Sequence, residues 1–167
     1  MQATLAPLAD YDVDPDTGFM PRWESLQRLP ADFEPWDELA PLVGHLIRNR
    51  RIRERLRAMP VLDASRLSSR PERERAITLL CVYANAHVWG GERPAADVPA
   101  SVAVPLCALC DRMGRQPIVH YAGMQLYNWR RIDRTRPLSA DNAELLVQFL
   151  GGVDETWFYV ANFDLGG

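Results

Sequence analysis

Three cysteines and three histidines have the widest chemical range among the side chains of this 167-residue sequence. Cys107 and Cys110 form a Cys-x-x-Cys pair, a spacing found in redox dithiols and in halves of zinc sites. A zinc site needs about four ligands, and neither a second Cys-x-x-Cys nor a close histidine pair follows. A redox dithiol normally follows a strand, whereas Val104, Leu106 and Leu109 place this pair within a short helix. The pattern therefore favours packing of these cysteines in the core.

The three histidines do not predict a metal or haem site. His45, His87 and His120 are far apart and are flanked by apolar residues. A single histidine on a helix is more often a structural residue than a ligand. The sequence also lacks a Gly-x-Ser-x-Gly, a phosphate loop, a His-Glu-x-x-His and a Gly-x-Gly-x-x-Gly motif. No catalytic residue and no metal ligand is therefore assigned from the side chains alone.

The composition is that of an ordinary globular protein with one domain. Hydrophobic residues make up 47% of the chain and charged residues 25%, which is enough apolar material for a core. A net charge of −3 provides no basic field that would attract nucleic acid or an acidic membrane. No signal peptide and no stretch of about 20 apolar residues is visible. Together with the odd number of cysteines, this predicts a cytoplasmic protein without nucleic acid or membrane partners.

Apolar residues at helical spacing predict an all-α fold. Residues 1–35 are rich in Pro, Asp and Gly and predict an irregular N-terminal arm packed over a helical domain of residues 36–167. The first helix is predicted to run from Trp36 into an arginine-rich, solvated end. The next helix is predicted to begin with a capping box at Ser69 and to stop at Gly90.

Three further helices are predicted towards the C-terminus. The cysteine-containing helix ends at Gly114, and another is predicted through Ile118 and Trp129. Ser139 is predicted to cap a last helix that continues through Leu150 and closes at the following glycines. No run with a period of two residues predicts a strand, so we expect about five or six helices and few or no strands.

Five strings resemble, in order and spacing, the N-terminal part of the indoleamine 2,3-dioxygenases. They are "DYDVDPDTGFMP", "VWGGE", "SVAVPLCALCDRMGRQPIVHYAGMQLYNW", "RPLSADNAELLVQF" and "DETWFYVANF". The resemblance covers nearly the whole chain, from about Asp10 to Phe163. Five ordered matches are far more specific than any single one. The resemblance implies the smaller, all-helical domain of this family, which lies over the distal face of the haem.

The resemblance also implies an activity and a missing part. Proteins of this family are haem enzymes that insert both atoms of O₂ across the pyrrole double bond of tryptophan's indole, giving N-formylkynurenine. Their large C-terminal domain supplies the proximal histidine and most of the haem pocket. We therefore expect a distal domain that is truncated in its last helix and inactive by itself, and that needs the missing C-terminal haem domain or a partner chain. The alternatives are half of a split enzyme and a non-enzymatic helical interaction module.

The resemblance assigns six residues to the substrate and distal pocket: Tyr121, Met124, Gln125, Phe158, Tyr159 and Asn162. The first three match positions on the helix above the haem, and the aromatic pair matches the indole site. Gln125 replaces a small apolar residue of the family. Asn162 falls where the human-type enzymes carry a serine near bound O₂. The proximal haem ligand matches no residue of this sequence.

The last stretch, "DETWFYVANFDLGG", is apolar nearly all round after its acidic start, which is typical of a buried helix. Its aromatic residues Trp157, Phe158 and Phe163 predict a contact with the missing domain, a partner chain or a second copy.

We expect Trp157→Ser combined with Phe163→Ser to raise the monomer fraction while the upstream helices stay folded. Burying each aromatic side chain contributes about 1.5–3 kcal/mol, which favours association of the unsubstituted chain. Sedimentation across a range of concentrations measures the effect, with circular dichroism as the check on folding. An unsubstituted chain that stays monomeric with both side chains in solvent would contradict this prediction.

Overall fold

The computed structural model describes residues 7–11, 13–15, 18–21 and 23–148. Within these ranges six α-helices and two short strands follow an irregular N-terminal arm, so the predicted all-α class is confirmed. The helices are α1 Glu34–Leu39, α2 Val43–Arg48, α3 Ile52–Arg57, α4 Arg70–Trp89, α5 Ala100–Met113 and α6 Tyr121–Leu126. The strands are β1 Trp129–Arg131 and β2 Ala143–Leu145, which pair antiparallel.

Helix α4 is the centre of the fold, with α1, α2, α3, α5 and α6 packed around it. It begins with the predicted capping box. The Ser69 hydroxyl accepts a hydrogen bond from the Glu72 N–H at 3.3 Å, and the Glu72 carboxylate accepts one from the Ser69 N–H at 2.9 Å. These bonds satisfy backbone donors that a helix start leaves without partners. The helix ends at Trp89, immediately before the predicted stop at Gly90.

Helix α5 also ends where the sequence predicts. Gly114 follows it with φ of +64°, a left-handed conformation that glycine adopts without a steric penalty. Cys110 is fully buried against the core, as predicted, whereas Cys107 is exposed. On α4, Cys81 is buried as well, and burial raises the pKa of its thiol to about 12. Two of the three cysteines are therefore packing residues.

The predicted first helix is wrong in its length. It is divided into α1, a 3₁₀ turn over Ala40–Leu42, and α2, and it stops before the middle of the arginine-rich run. Pro41 lacks the N–H that a continuous helix needs, and Arg50 has φ of +58°, which ends α2. The run resumes in α3, so it is not a single solvated helix end.

The helix predicted from Ser139 is also wrong. A 3₁₀ turn over Ala140–Asn142 leads into β2, whose Leu145 pairs with Trp129 of β1. The side-chain amide of Asn128 continues this pairing, because it donates to the Val147 carbonyl and accepts from the Val147 N–H, both at 2.9 Å. Pairing with β1 and with Asn128 thus holds these residues in an extended conformation in place of the predicted helix.

A buried ion pair joins the arm, α1 and α4. Arg75 donates from Nε and Nη2 to Asp37 Oδ1, at 2.8 and 2.5 Å. The Leu29 N–H donates to the other carboxylate oxygen at 2.5 Å. Only 7% of the Arg75 side chain and 3% of the Asp37 side chain are exposed. Each charge is therefore buried with its partner.

We expect Arg75→Met to lower the free energy of unfolding by about 3–5 kcal/mol, because it leaves the Asp37 carboxylate buried without its partner. The double variant Asp37→Leu/Arg75→Met should recover part of the loss. The control is Arg66→Gln, which breaks an exposed pair with Asp32 and should change stability by less than about 1 kcal/mol. Urea unfolding measures all three, and an equal loss in the two single variants would contradict the prediction.

We expect a small disulfide reagent to modify Cys107 rapidly in the folded chain and to leave the other two thiols intact. Burial raises the pKa of Cys81 and of Cys110, and it also blocks access to them. Unfolding in urea should expose all three cysteines. The control Cys107→Ser should show no fast phase, and fast modification of a second thiol in the folded chain would refute this assignment.

Candidate functional site

Helix α6 carries the part of the predicted pocket that lies in the described residues. Met124 and Gln125 are buried, with 2% and 6% exposure, and Tyr121 is the first residue of the helix. Phe158, Tyr159 and Asn162 lie outside the described residues, as do Trp157 and Phe163. The structure thus places Met124 and Gln125 next to each other, both buried, on one short helix. Their assignment to a substrate pocket stays a prediction.

The position of α6 is fixed from both ends. The Thr78 hydroxyl of α4 lies 3.0 Å from the Glu74 carbonyl and 3.5 Å from the Gly123 carbonyl, so it links the two helices. At the other end, the Trp129 indole N–H donates to the Leu126 carbonyl at 3.0 Å. These hydrogen bonds connect α6 to α4 and to β1.

A small cavity lies between α4 and α6. Its volume is about 10 Å³, which is at the lower limit for a single water molecule. It is lined by Ile77, Thr78, Cys81, Arg115, Val119, His120, Gly123 and Met124. An indole ring does not fit in this space. The cavity is therefore a packing gap behind α6.

Glu74 is the centre of a polar network that supports α6, and only 1% of its side chain is exposed. Arg115 donates to its two carboxylate oxygens from Nη1 and Nη2, at 2.5 and 2.7 Å. The Arg115 guanidinium also lies 5.7 Å from the centre of the Tyr127 ring, while Arg70 donates to the Tyr127 hydroxyl at 3.2 Å. On its other side Tyr127 stacks on Trp23 of the arm, with 5.6 Å between ring centres.

The sequence alone does not predict this network. Glu74 follows Arg70 by four residues on a helix, a spacing that is typical of a solvent-exposed ion pair. Arg115 lies just after the glycine that ends α5, where a charged residue is expected in solvent. Only the fold shows that Glu74 is buried and that Arg115 reaches it on α4 from the segment that follows α5.

A larger cleft of about 200 Å³ lies between α2 and the chain that follows β2. It is lined by Ala40, Pro41, Gly44, His45, Arg48, Leu145, Leu146 and Gln148. Ligand pockets for small molecules are usually about 300–1,000 Å³ in volume. These two spaces are both below that range.

The two spaces described above, which His120 and His45 line, are too small for a haem group. His45 is exposed and its Nε2 lies 2.8 Å from the Asn49 amide nitrogen, while His120 Nε2–H donates to the Gln116 carbonyl. His87 is fully buried and faces Arg53. Within residues 7–148, as far as they are described, no group of three or more His, Cys, Asp or Glu side chains is placed to hold a metal ion. In the same residues, no helix is long and apolar enough to cross a membrane.

Comparisons with known proteins place the chain in a family. The family model for indoleamine 2,3-dioxygenase matches residues 7–165. The indoleamine 2,3-dioxygenase of Aspergillus candidus is 32% identical over 158 residues, which cover 91% of this chain and 39% of that protein. Indoleamine 2,3-dioxygenase 1 of Rattus norvegicus is 31% identical, covering 93% and 38%. The enzyme of Saccharomyces cerevisiae is 28% identical, covering 95% and 37%.

The family model and the curated relatives match this chain to different extents. The family model matches nearly all residues of this chain, whereas the chain spans less than two fifths of the length of the curated relatives it matches. The match also includes the capped helix α4 and the helix α6 described above. On this evidence the chain belongs to the indoleamine 2,3-dioxygenase family.

Proposed function

We propose that this chain contributes the distal wall of a haem-dependent dioxygenase that opens the indole ring of tryptophan to N-formylkynurenine. The observation that carries the proposal is the family match over residues 7–165. The proximal haem ligand of the family matches no residue of this sequence, so we propose that the haem-holding part comes from a C-terminal domain or a partner chain. When bound to that part, haem would supply the activation of dioxygen, and this chain would help to shape the substrate space and exclude water.

The structure supports a positioning role for α6. Met124 and Gln125 are buried, and α6 is held by Thr78 from α4 and by Trp129 from β1. A fixed helix is what a distal wall requires, because misplacement of a substrate by about 1 Å reduces catalysis strongly. Tyr121 is proposed to line the pocket from the start of the same helix.

Three residues outside the described part complete the proposed site. Phe158 and Tyr159 provide an aromatic surface for the indole ring, and stacked aromatic rings attract each other beyond their burial. Asn162 provides a hydrogen-bond donor near the reacting oxygen. The site works in the cytoplasm, where the three cysteines stay reduced.

The test supplies the missing part. The chain is mixed with the C-terminal haem-holding part of a family relative, hemin, a reductant and L-tryptophan, and the Soret band and N-formylkynurenine are measured. We expect product from the mixture and none from the chain alone. Phe158→Ala should lower kcat/KM of the mixture by roughly 10- to 100-fold, because the indole ring loses its orientation.

The matched control is Phe19→Ala, which removes an aromatic ring that is 70% exposed on the arm and should leave the rate unchanged. Product formation by the chain alone, lost in a single His→Ala variant, would contradict the division of roles between the two parts. A mixture that binds haem but forms no product would contradict the proposed activity and favour a non-enzymatic interaction module.

A further inference from the structure

His87 occupies an unusual position on the last turns of α4. The side chain is fully buried, yet in the described part of the chain neither ring nitrogen has a hydrogen-bond partner. A neutral imidazole tolerates such a site better than a charged one, because a charged ring has two N–H donors and carries its charge away from water. The surroundings of His87 therefore favour its neutral form.

The charges around His87 also favour the neutral form of its ring. Arg53 and Arg57 face it from α3, and Asp97 faces it from the segment before α5. Burial lowers the pKa of His87, the two arginines lower it further, and Asp97 partly opposes them. A protonated His87 ring would therefore be repelled by two arginines and attracted by only one aspartate.

Arg53 cannot turn away from His87 without releasing the end of α4. Its Nε donates to the His87 carbonyl at 2.8 Å, and its Nη2 donates to the Val88 and Arg93 carbonyls at 2.9 and 2.6 Å. The α3 helix also packs tightly here, since a Cβ on Gly90 would lie 2.6 Å from the Ile52 methyl group. The hydrogen bonds of Arg53 and the packing of Ile52 against Gly90 thus hold α3 and the end of α4 together in a closed form.

We propose that the junction between α3 and the C-terminal end of α4 is a proton-sensitive latch, closed while His87 is neutral and opened when His87 is protonated. Opening brings the ring to water and relieves the repulsion with Arg53 and Arg57. Local opening of this kind is common where a helix end depends on a few contacts. The latch acts independently of the proposed dioxygenase activity.

The direction of the pH effect follows from proton linkage. A histidine in water has a pKa of about 6.5, and the closed form lowers that pKa, so the open form binds the proton more readily. The closed form is favoured above about pH 6.5 and loses its advantage as the pH falls below that value. Between pH 7.5 and 5.5 the open population should rise severalfold, with about tenfold as the upper limit for a closed form that does not bind the proton.

Hydrogen exchange followed by mass spectrometry tests the latch on the full chain at pH 7.5 and 5.5, with labelling times scaled to the intrinsic exchange rates. We expect protection of residues 52–57 and 86–93 to fall severalfold at the lower pH, by at most about tenfold, while residues 100–113 keep theirs. His87→Leu and His87→Gln should abolish the pH effect. The control His45→Gln, which removes an exposed histidine, should retain it.

An NMR titration of the histidine rings of the unsubstituted chain adds a test that does not depend on a variant's folding. We expect His87 to titrate below about pH 6.5, the pKa of a histidine in water, with the loss of protection following the His87 curve. Titration of His87 at or above that pH would overturn the latch. So would an equal loss of protection in all helices, or a pH effect that persists in a folded His87→Leu chain.

Discussion

Two adjacent charges buried inside one helix determine where the neighbouring elements of this domain lie. Glu74 and Arg75 are each less than 10% exposed, and a buried charge without a partner costs several kcal/mol. Because successive residues of a helix point about 100° apart, the two partners must approach α4 from different sides. Asp37 brings α1 and the arm to one side. Arg115 brings the end of α5, and with it the approach to α6, to the other.

The candidate site depends on the second of these pairs. Arg115 connects Glu74 to the ring of Tyr127, and Tyr127 in turn stacks on Trp23 of the arm. The face of the domain that carries α6 is therefore fixed by directional polar and aromatic contacts in addition to apolar packing. Apolar packing alone tolerates small shifts, whereas a two-point hydrogen-bonded ion pair specifies both distance and orientation. Such a support suits the positioning role that we propose for α6.

The sequence predicts those parts of the fold that depend on local signals. The Ser69 capping box and the left-handed Gly114 were found because their chemistry lies within a few residues of each helix end. Strand β2 was missed because its pairing depends on β1 and on the side chain of Asn128, more than a dozen residues away. The burial of Glu74 was missed for the same reason. The pocket residues came from the family resemblance, since periodicity does not separate a pocket wall from a core.

The contacts that hold α4 and α6 also bear on how the proposed enzyme assembles. Within the described residues, Glu74 and Arg75 find their partners on this chain, and α6 is held by residues of α4 and β1. Contacts within this chain therefore hold these helices in position. If a haem-holding part binds beside α6, it meets a helix that is already in place, and binding to a preordered surface avoids the entropy loss of arranging it at the moment of contact. On the proposed function, α6 is thus a preorganised part of the distal wall, and the iron chemistry is the contribution of the haem-holding part.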